Sequence, residues 1–269
     1  MIANWQRVTR TNPCPICRKT HWCLIGQHSV ICMRVISERA HNFEGGDMGW
    51  YHSLNGDAPV LVQKEQPRAP TVNVKKTLHD WSQFRRDQSG LAIDLGVSMD
   101  SLVALECTKA PDYKVWAFPM RDGYNEYTGI RLRHENGDKW AVTGSHAGIF
   151  IPQGIRPQKE IMICEGPTDA AAALTLGFYA VGRPSCSGGV PHISTWIKRH
   201  HIQRSIIVAD NDDPGLRGAD MLTAHIGVPS AILVLPAKDV REFLRNGGTK
   251  DDIRSLLGNV VWRQKVNSN

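Results

Sequence analysis

Two short apolar runs, each cut off by acidic turn formers, organise the second half of the chain. Ile161-Met162-Ile163-Cys164 leads straight into Glu165-Gly166-Pro167-Thr168-Asp169, and Ser205-Ile206-Ile207-Val208-Ala209 into Asp210-Asn211-Asp212-Asp213-Pro214-Gly215. Runs of four or five apolar residues, rich in β-branched side chains and ended by turn formers, predict strands buried on both faces, as in a parallel sheet. Both runs then deliver carboxylates to the carboxyl ends of strands, the edge where open α/β sheets place their sites. Around them the alanine-rich stretch from Thr168 to Leu176 predicts a helix closed by Gly177, and Phe178 to Val181 a further strand. Helices are expected from Ile193 to His201 and from Leu216 to Ile226, a strand from Ile232 to Leu235, and short helices from Val240 to Asn246 and Asp251 to Leu257. This βαβα alternation implies an α/β domain, a parallel sheet flanked by helices.

Upstream the periods change. From Leu78 to Leu105 the pattern is helical, with Leu91, Ile93, Leu95, Val97, Leu102 and Leu105 as candidate core. Leu91-Ala92-x-x-Leu95-Gly96-Val97-Ser98 followed by Leu102 has the spacing of a small helix-turn-helix, or of plain helical packing. Strands are expected over Lys114 to Met120, Tyr127 to Arg133 and Ile149 to Pro152. Alternation in Ile130-Arg131-Leu132-Arg133 puts both arginines on one face and the apolar pair on the other. Residues 58–76, with three prolines and little periodicity, read as an extended tether.

Carboxylates gathered at one sheet edge repel one another, so a divalent cation is their natural partner, and hard oxygen ligands suit Mg²⁺ or Mn²⁺. The alternative for Asp210 and Asp212 is that they cap the following helix. Near the N-terminus Cys14, Cys17, Cys23 and Cys32 are separated by two, five and eight residues, the thiolate set that a tetrahedral Zn²⁺ takes from a short chain. His21 and His28 are rival ligands in the same stretch, and Trp22, Val30 and Ile31 would fill the small core. Gly45-Gly46 leads into a last strand of this module. Cys164 and Cys186 read as small fillers. Seven cysteines, an odd total with one tight cluster, do not suit a disulfide framework and favour a reducing cytoplasm. No run nears the ~18 apolar residues that span a bilayer. The formal charge of +6 favours an anionic partner, and its excess lies in residues 1–63, with 6 Lys+Arg against 4 Asp+Glu, and residues 64–76, with 4 against 1.

Glu165-Gly166-x-x-Asp169 after one strand and Asp210-x-Asp212 after another resemble the Toprim domain of primases, topoisomerases and some nucleases. Lys238-Asp239, after an apolar run, fits a later acidic position of the primase version. The Cys cluster, Arg34 and the Gly-Gly and Tyr-His pairs that follow resemble the N-terminal zinc ribbon of Toprim primases, in its all-Cys phage-like form. The strands from Lys114 onward resemble the basic subdomain beside the Toprim domain. This resemblance to phage, plasmid and bacterial primases implies a zinc-binding ribbon over 1–57, a linker over 58–76, a mixed α+β basic subdomain over 77–158 and a Toprim catalytic domain over 159–269. It implies a nucleotidyltransferase of DNA replication that makes short primers on single-stranded DNA from nucleoside triphosphates. Glu165, Asp210 and Asp212 would be catalytic and hold Mg²⁺ or Mn²⁺, with Asp169 and Asp239 as further ligands. Arg34, Arg131, Arg133, Lys139 and Lys238 would meet nucleic acid or nucleotide. The setting would be the cytoplasm of a bacterial host or a phage-infected cell, with no membrane partner. The sequence holds no G-x-x-x-x-G-K-[ST] loop, which leaves a separate replicative helicase as candidate partner, or a reduced primase of a mobile element. A topoisomerase is disfavoured, because no tyrosine stands in a nucleophile's context. The rivals are a Toprim nuclease, using the same acids on water, and a recombination-mediator-like zinc and Toprim protein that binds DNA without catalysis.

Overall fold

The computed structural model describes residues 5–35, 37, 39–42, 48–54, 71–83, 87–112 and 114–263. The chain divides into two compact units, Met1–Arg68 and Ala69–Asn269.

In the first unit, strands β1 (Gln6–Arg7), β2 (Leu24–Ile25), β3 (Ser29–Cys32), β4 (Ala40–Asn42) and β5 (Met48–Ser53) form an antiparallel sheet in the order β1-β2-β3-β5-β4. Its core is small: Val8 and Val30 pack with the buried Cys14, Cys23 and Cys32. Ile31 is buried as expected, but Trp22 is 50% exposed. Its φ of 75° puts it in the left-handed region, so the turn that carries the chain toward Cys23 swings the indole outward. The strand expected after Gly45-Gly46 is β5. The glycine pair lies outside the described residues.

The second unit opens with helices α1 (Val74–Ser82), α2 (Ser89–Leu95) and α3 (Met99–Ala104). The first of these corrects the tether reading. Asn73 caps α1 by accepting from Lys76 N at 3.0 Å, and Val74, Leu78 and Trp81 join the apolar cluster of the adjoining sheet. Their i, i+4, i+7 spacing is helical, but it begins inside a segment whose composition is that of a linker. Residues 58–70 lie outside the described set. In α2, Leu91 and Leu95 are buried while Ile93 is 79% exposed. At about 100° per residue Ile93 stands roughly 200° round the helix from Leu91, facing solvent.

Strands β6 (Thr108–Lys109), β7 (Val115–Arg121), β8 (Tyr127–His134) and β9 (Lys139–Ala141) then form an antiparallel sheet in that order. All seven residues of β7 are buried, because both faces are covered. Val115 and Ala117 pack with α1, while Trp116, Phe118 and Met120 enter the large core shared with the parallel sheet. The strand expected at Ile149 to Pro152 shrinks to two bridges, Arg121 with Ile149 and Phe150 with Gly182.

The remainder alternates as expected: β10 (Glu160–Cys164), α4 (Pro167–Thr175), β11 (Ala180–Gly182), α5 (Val190–Arg199), β12 (Arg204–Ala209), α6 (Asp213–His225), β13 (Ser230–Val234), α7 (Val240–Arg245) and α8 (Lys250–Leu257). The four strands are parallel and ordered β11-β10-β12-β13. The chain goes from β10 to one side and returns to the other, so the crevice between the carboxyl ends of β10 and β12 is a topological switch point. Ala170, Ala171, Ala172 and Ala173 of α4 are all fully buried. Small side chains there let α4 lie close to its neighbours without a loss of rotamer freedom.

Candidate active site and metal centre

Glu165 leaves β10 and Asp210 leaves β12, so the two stand at the switch point. Among the described residues neither carboxylate has a hydrogen-bond or ion-pair partner, and both are strained electrically. Burial, then Asp210, pushes Glu165 up to about 7 against the pull of Arg183. Burial, then Asp169, Asp239 and Asp212, pushes Asp210 up to about 6. Asp212 does cap α6, accepting from Gly215 N at 2.8 Å, which leaves its second oxygen for other work. Capping and ligation, posed as alternatives by the sequence, are thus compatible at this residue.

Asp169, in the first turn of α4, and Asp239, the N-cap of α7, are differently engaged. Arg241 Nε donates to Asp169 Oδ1 at 3.0 Å and Arg241 Nη2 to Asp239 Oδ2 at 2.5 Å. The other oxygen of Asp239 accepts from Glu242 N at 2.8 Å. Burial still raises Asp169, with Arg241 opposing. Lys238 is exposed, and its N–H donates to Glu242 Oε2 at 2.5 Å.

Two arginines, one half-buried and one buried, belong to this edge and had no signal in the sequence. Arg241 is one. Arg183, just past β11, donates to the carbonyls of Gly188 at 3.2 Å, Gly218 at 3.4 Å and Cys186. It bridges the loops around the crevice, and burial lowers it to about 10. Cys164 is fully buried between the strand ends, and Cys186 half-buried, as fillers would be.

The arginines of β8 come to the same place. Ile130 and Leu132 are buried and Arg131 and Arg133 lie on the other face, as alternation required. In the β8–β9 register Arg133 stands opposite Lys139. Burial, then Arg241, lowers Arg133, while Asp169 and Asp239 support its charge. Lys139 reaches solvent yet is crowded enough to be lowered by burial, then by Arg133, with Asp169 and Asp210 opposing. Arg131 donates to the Pro184 carbonyl at 3.3 Å. A cationic cross-strand pair therefore flanks the acidic edge.

Backbone packing at the switch point tolerates no extra atom. A Cβ on Gly215 would lie 2.5 Å from Asp210 O and 3.0 Å from Asp210 N. Gly215→Ala is expected to displace the Asp210 turn and to cost about 1–3 kcal/mol, as overpacking does. Gly90→Ala, where a Cβ meets nothing within 4 Å in α2, should instead stabilise by up to ~1 kcal/mol. Urea unfolding of the two variants measures both, and equal midpoints would remove the steric account.

In the first unit Cys14, Cys17, Cys23 and Cys32 bring their sulfurs within 4.8 Å of one another. Among the described residues this is the one cluster of three or more ligating side chains drawn so close. The Cys17–Cys23 and Cys23–Cys32 sulfurs are 3.6 and 4.0 Å apart, and a tetrahedron with Zn–S bonds of about 2.3 Å implies roughly 3.8 Å. Backbone N–H groups of Met33, Arg34 and Val35 donate to the Cys23 and Cys32 sulfurs at 3.3–3.4 Å. The hydrogen bond from Cys23, then the N–H groups of Arg34 and Val35, holds Cys32 down at about 5 against burial. The cluster fits a structural zinc. Arg34, expected on nucleic acid, turns back instead. Its Nη1 donates to the His21 carbonyl at 3.1 Å and lies 3.8 Å from Cys23 Sγ and 4.0 Å from Cys17 Sγ, where it offsets thiolate charge.

No family model and no curated protein matches the sequence. Solved structures do match. The DnaG catalytic core superposes with a TM-score of 0.57 at 14% identity, over 70% of this chain and 79% of that one. The DnaG primase catalytic domain bound to single-stranded DNA gives 0.55 at 14%, over 70% and 80%. The Aquifex aeolicus primase, comprising its zinc-binding and RNA polymerase domains, gives 0.57 at 15%, over 70% and 60%. This chain has the fold of a primase catalytic core. Its four-Cys module, antiparallel sheet and parallel four-stranded sheet match the zinc-binding and Toprim parts of that fold, and at these identities the fold is what is shared. Among the described residues of this primase-core chain, no helix is long and apolar enough to cross a membrane.

Proposed function

We propose that this chain is a DNA primase, a nucleotidyltransferase that builds short primers on single-stranded DNA. The observation that carries the proposal is the opposition of two charge sets within one unit of primase-core fold. The carboxylates of Glu165 and Asp210, unpartnered among the described residues, stand at the switch point, and the Arg133–Lys139 pair flanks them. A triphosphate and a template strand, both polyanionic, need the cations for binding. The carboxylates need a hard cation of their own before they can tolerate a phosphate nearby.

Glu165, Asp210 and the second oxygen of Asp212 would hold Mg²⁺ or Mn²⁺, and their donor chemistry fits such an ion. When bound, the ion supplies charge neutralisation of the phosphates and a lower pKa for the attacking 3′-hydroxyl. Arg133, Lys139, Arg131 and the exposed Lys238 would orient template and nucleotide, which is positional and electrostatic work. Residues 1–57, stapled by Zn²⁺ on Cys14, Cys17, Cys23 and Cys32, would sense the template. Arg34 is better placed to steady the thiolates than to meet DNA. A replicative helicase on a separate chain would complete the system.

Incubation with single-stranded DNA, labelled nucleoside triphosphates and Mn²⁺ tests the reading. Short oligonucleotides should appear with the wild type and vanish with Glu165→Gln. Asp210-dependent cutting of DNA without synthesis would replace the primase by a nuclease. DNA binding that neither substitution changes would leave a non-catalytic clamp.

A further inference from the structure

Arg241 bridges two of the acidic residues at the crevice, Asp169 of α4 and Asp239 at the start of α7. Its side chain is 22% exposed, and those of the two acids it joins, Asp169 and Asp239, are 7% and 11% exposed. A planar fork shared between two buried carboxylates is a pair of charge-assisted hydrogen bonds, unlike a loose surface ion pair. Both oxygens of Asp239 are engaged, since one takes Arg241 and the other caps α7. Asp169 has given one of its two oxygens to the same guanidinium and is buried. Of five carboxylates at the edge, two thus share one guanidinium supplied by the chain itself, and Glu165, Asp210 and Asp212 remain without a cation among the described residues.

We infer that Arg241 is a built-in cation standing in for a second divalent ion, so that the edge holds one Mg²⁺ or Mn²⁺, on Glu165, Asp210 and Asp212. The inference rests on the metal-site reading of the preceding subsection. A guanidinium stays protonated at any working pH, so the charge beside Asp169 and Asp239 is permanent and independent of metal supply. Arg241 is a positioning residue here: it fixes α7 against α4 and sets the charge at the crevice without touching the ion.

Electron paramagnetic resonance counts the Mn²⁺ ions bound to the full, zinc-loaded chain during a titration. The wild type should saturate at one ion, Arg241→Gln at two, and Arg241→Lys, which keeps a cation, at one. A wild type that binds two ions overturns the inference, whatever the variants do. So does an Arg241→Gln protein that stays at one. Asp210→Asn separates the two readings. If a two-ion wild type loses Mn²⁺ in Asp210→Asn, the metal site stands and only the role of Arg241 falls. A wild type that binds no Mn²⁺ removes both.

Discussion

Asp210→Asn is expected to lower primer synthesis by a factor on the order of 10²–10³, the usual loss on removing one preorganised electrostatic group, while making the metal-free protein more heat-stable at pH 8. The two effects have one origin. Burial and the neighbouring carboxylates raise Asp210 to about 6 and Glu165 to about 7, against about 4 in an unfolded chain. A carboxyl with a raised folded pKa binds its proton more tightly when folded. Relative to low pH, stability is therefore lost as pH climbs from about 4 through 7, and the loss is complete above that. Asparagine removes one charge and relieves Glu165 of its largest charge repulsion, so the gain in melting temperature should be full at pH 8, smaller near pH 5 and absent near pH 3. Saturating Mn²⁺ should stabilise the wild type at pH 8 and help the variant far less. Equal melting temperatures for the two metal-free proteins at pH 8 would show that these carboxylates do not strain the fold.

Stripping zinc with a strong chelator is expected to unfold the first unit alone. Its described apolar core is limited to Val8, Val30, Ile31, Trp50, Tyr51 and the cysteines themselves. Structural zinc in modules of this kind carries an apparent ~10–16 kcal/mol of folding free energy, far more than that core supplies. The second unit has a core of its own, from Leu91 to Leu257. Hydrogen exchange should show residues 5–54 losing protection on chelation while residues 71–263 keep theirs. Cys23→Ser, which removes a buried ligand, should mimic the chelator even with zinc in excess. Protection retained across β2 and β3 after zinc removal would contradict this.

What the sequence made legible was local. The four cysteines announce themselves by spacing, Arg131 and Arg133 by alternation, and the acids by standing at the ends of apolar runs. Each of these signals lies within a few residues along the chain. The misreadings follow the same line. α1 begins at Val74 because its apolar stripe meets β8 and its neighbours, a contact that linker-like composition conceals. Trp22 is turned out by a left-handed backbone that no propensity scale flags for tryptophan. Arg241 meets Asp169 across 72 positions, and Arg34 folds back over 13 to reach His21. Charge identity at such residues is plain in the sequence, whereas the partner that consumes the charge is decided by topology.

The backbone bridge of Phe150 to Gly182, two hydrogen bonds of 2.9 Å, has a consequence for how the chain is made. The ribosome delivers β6 to β9 before any strand of the parallel sheet exists. Until residues near 162 follow, Trp116, Phe118 and Met120 have only the α2 and α3 part of their shared core, and the edge that Gly182 will secure stays open. An emerging chain therefore holds an apolar strand that waits on later synthesis, the condition under which nascent chains aggregate or recruit chaperones. Translational pausing between residues 121 and 160 would lengthen that exposure, whereas pausing in the linker, with the zinc module already stapled, would not.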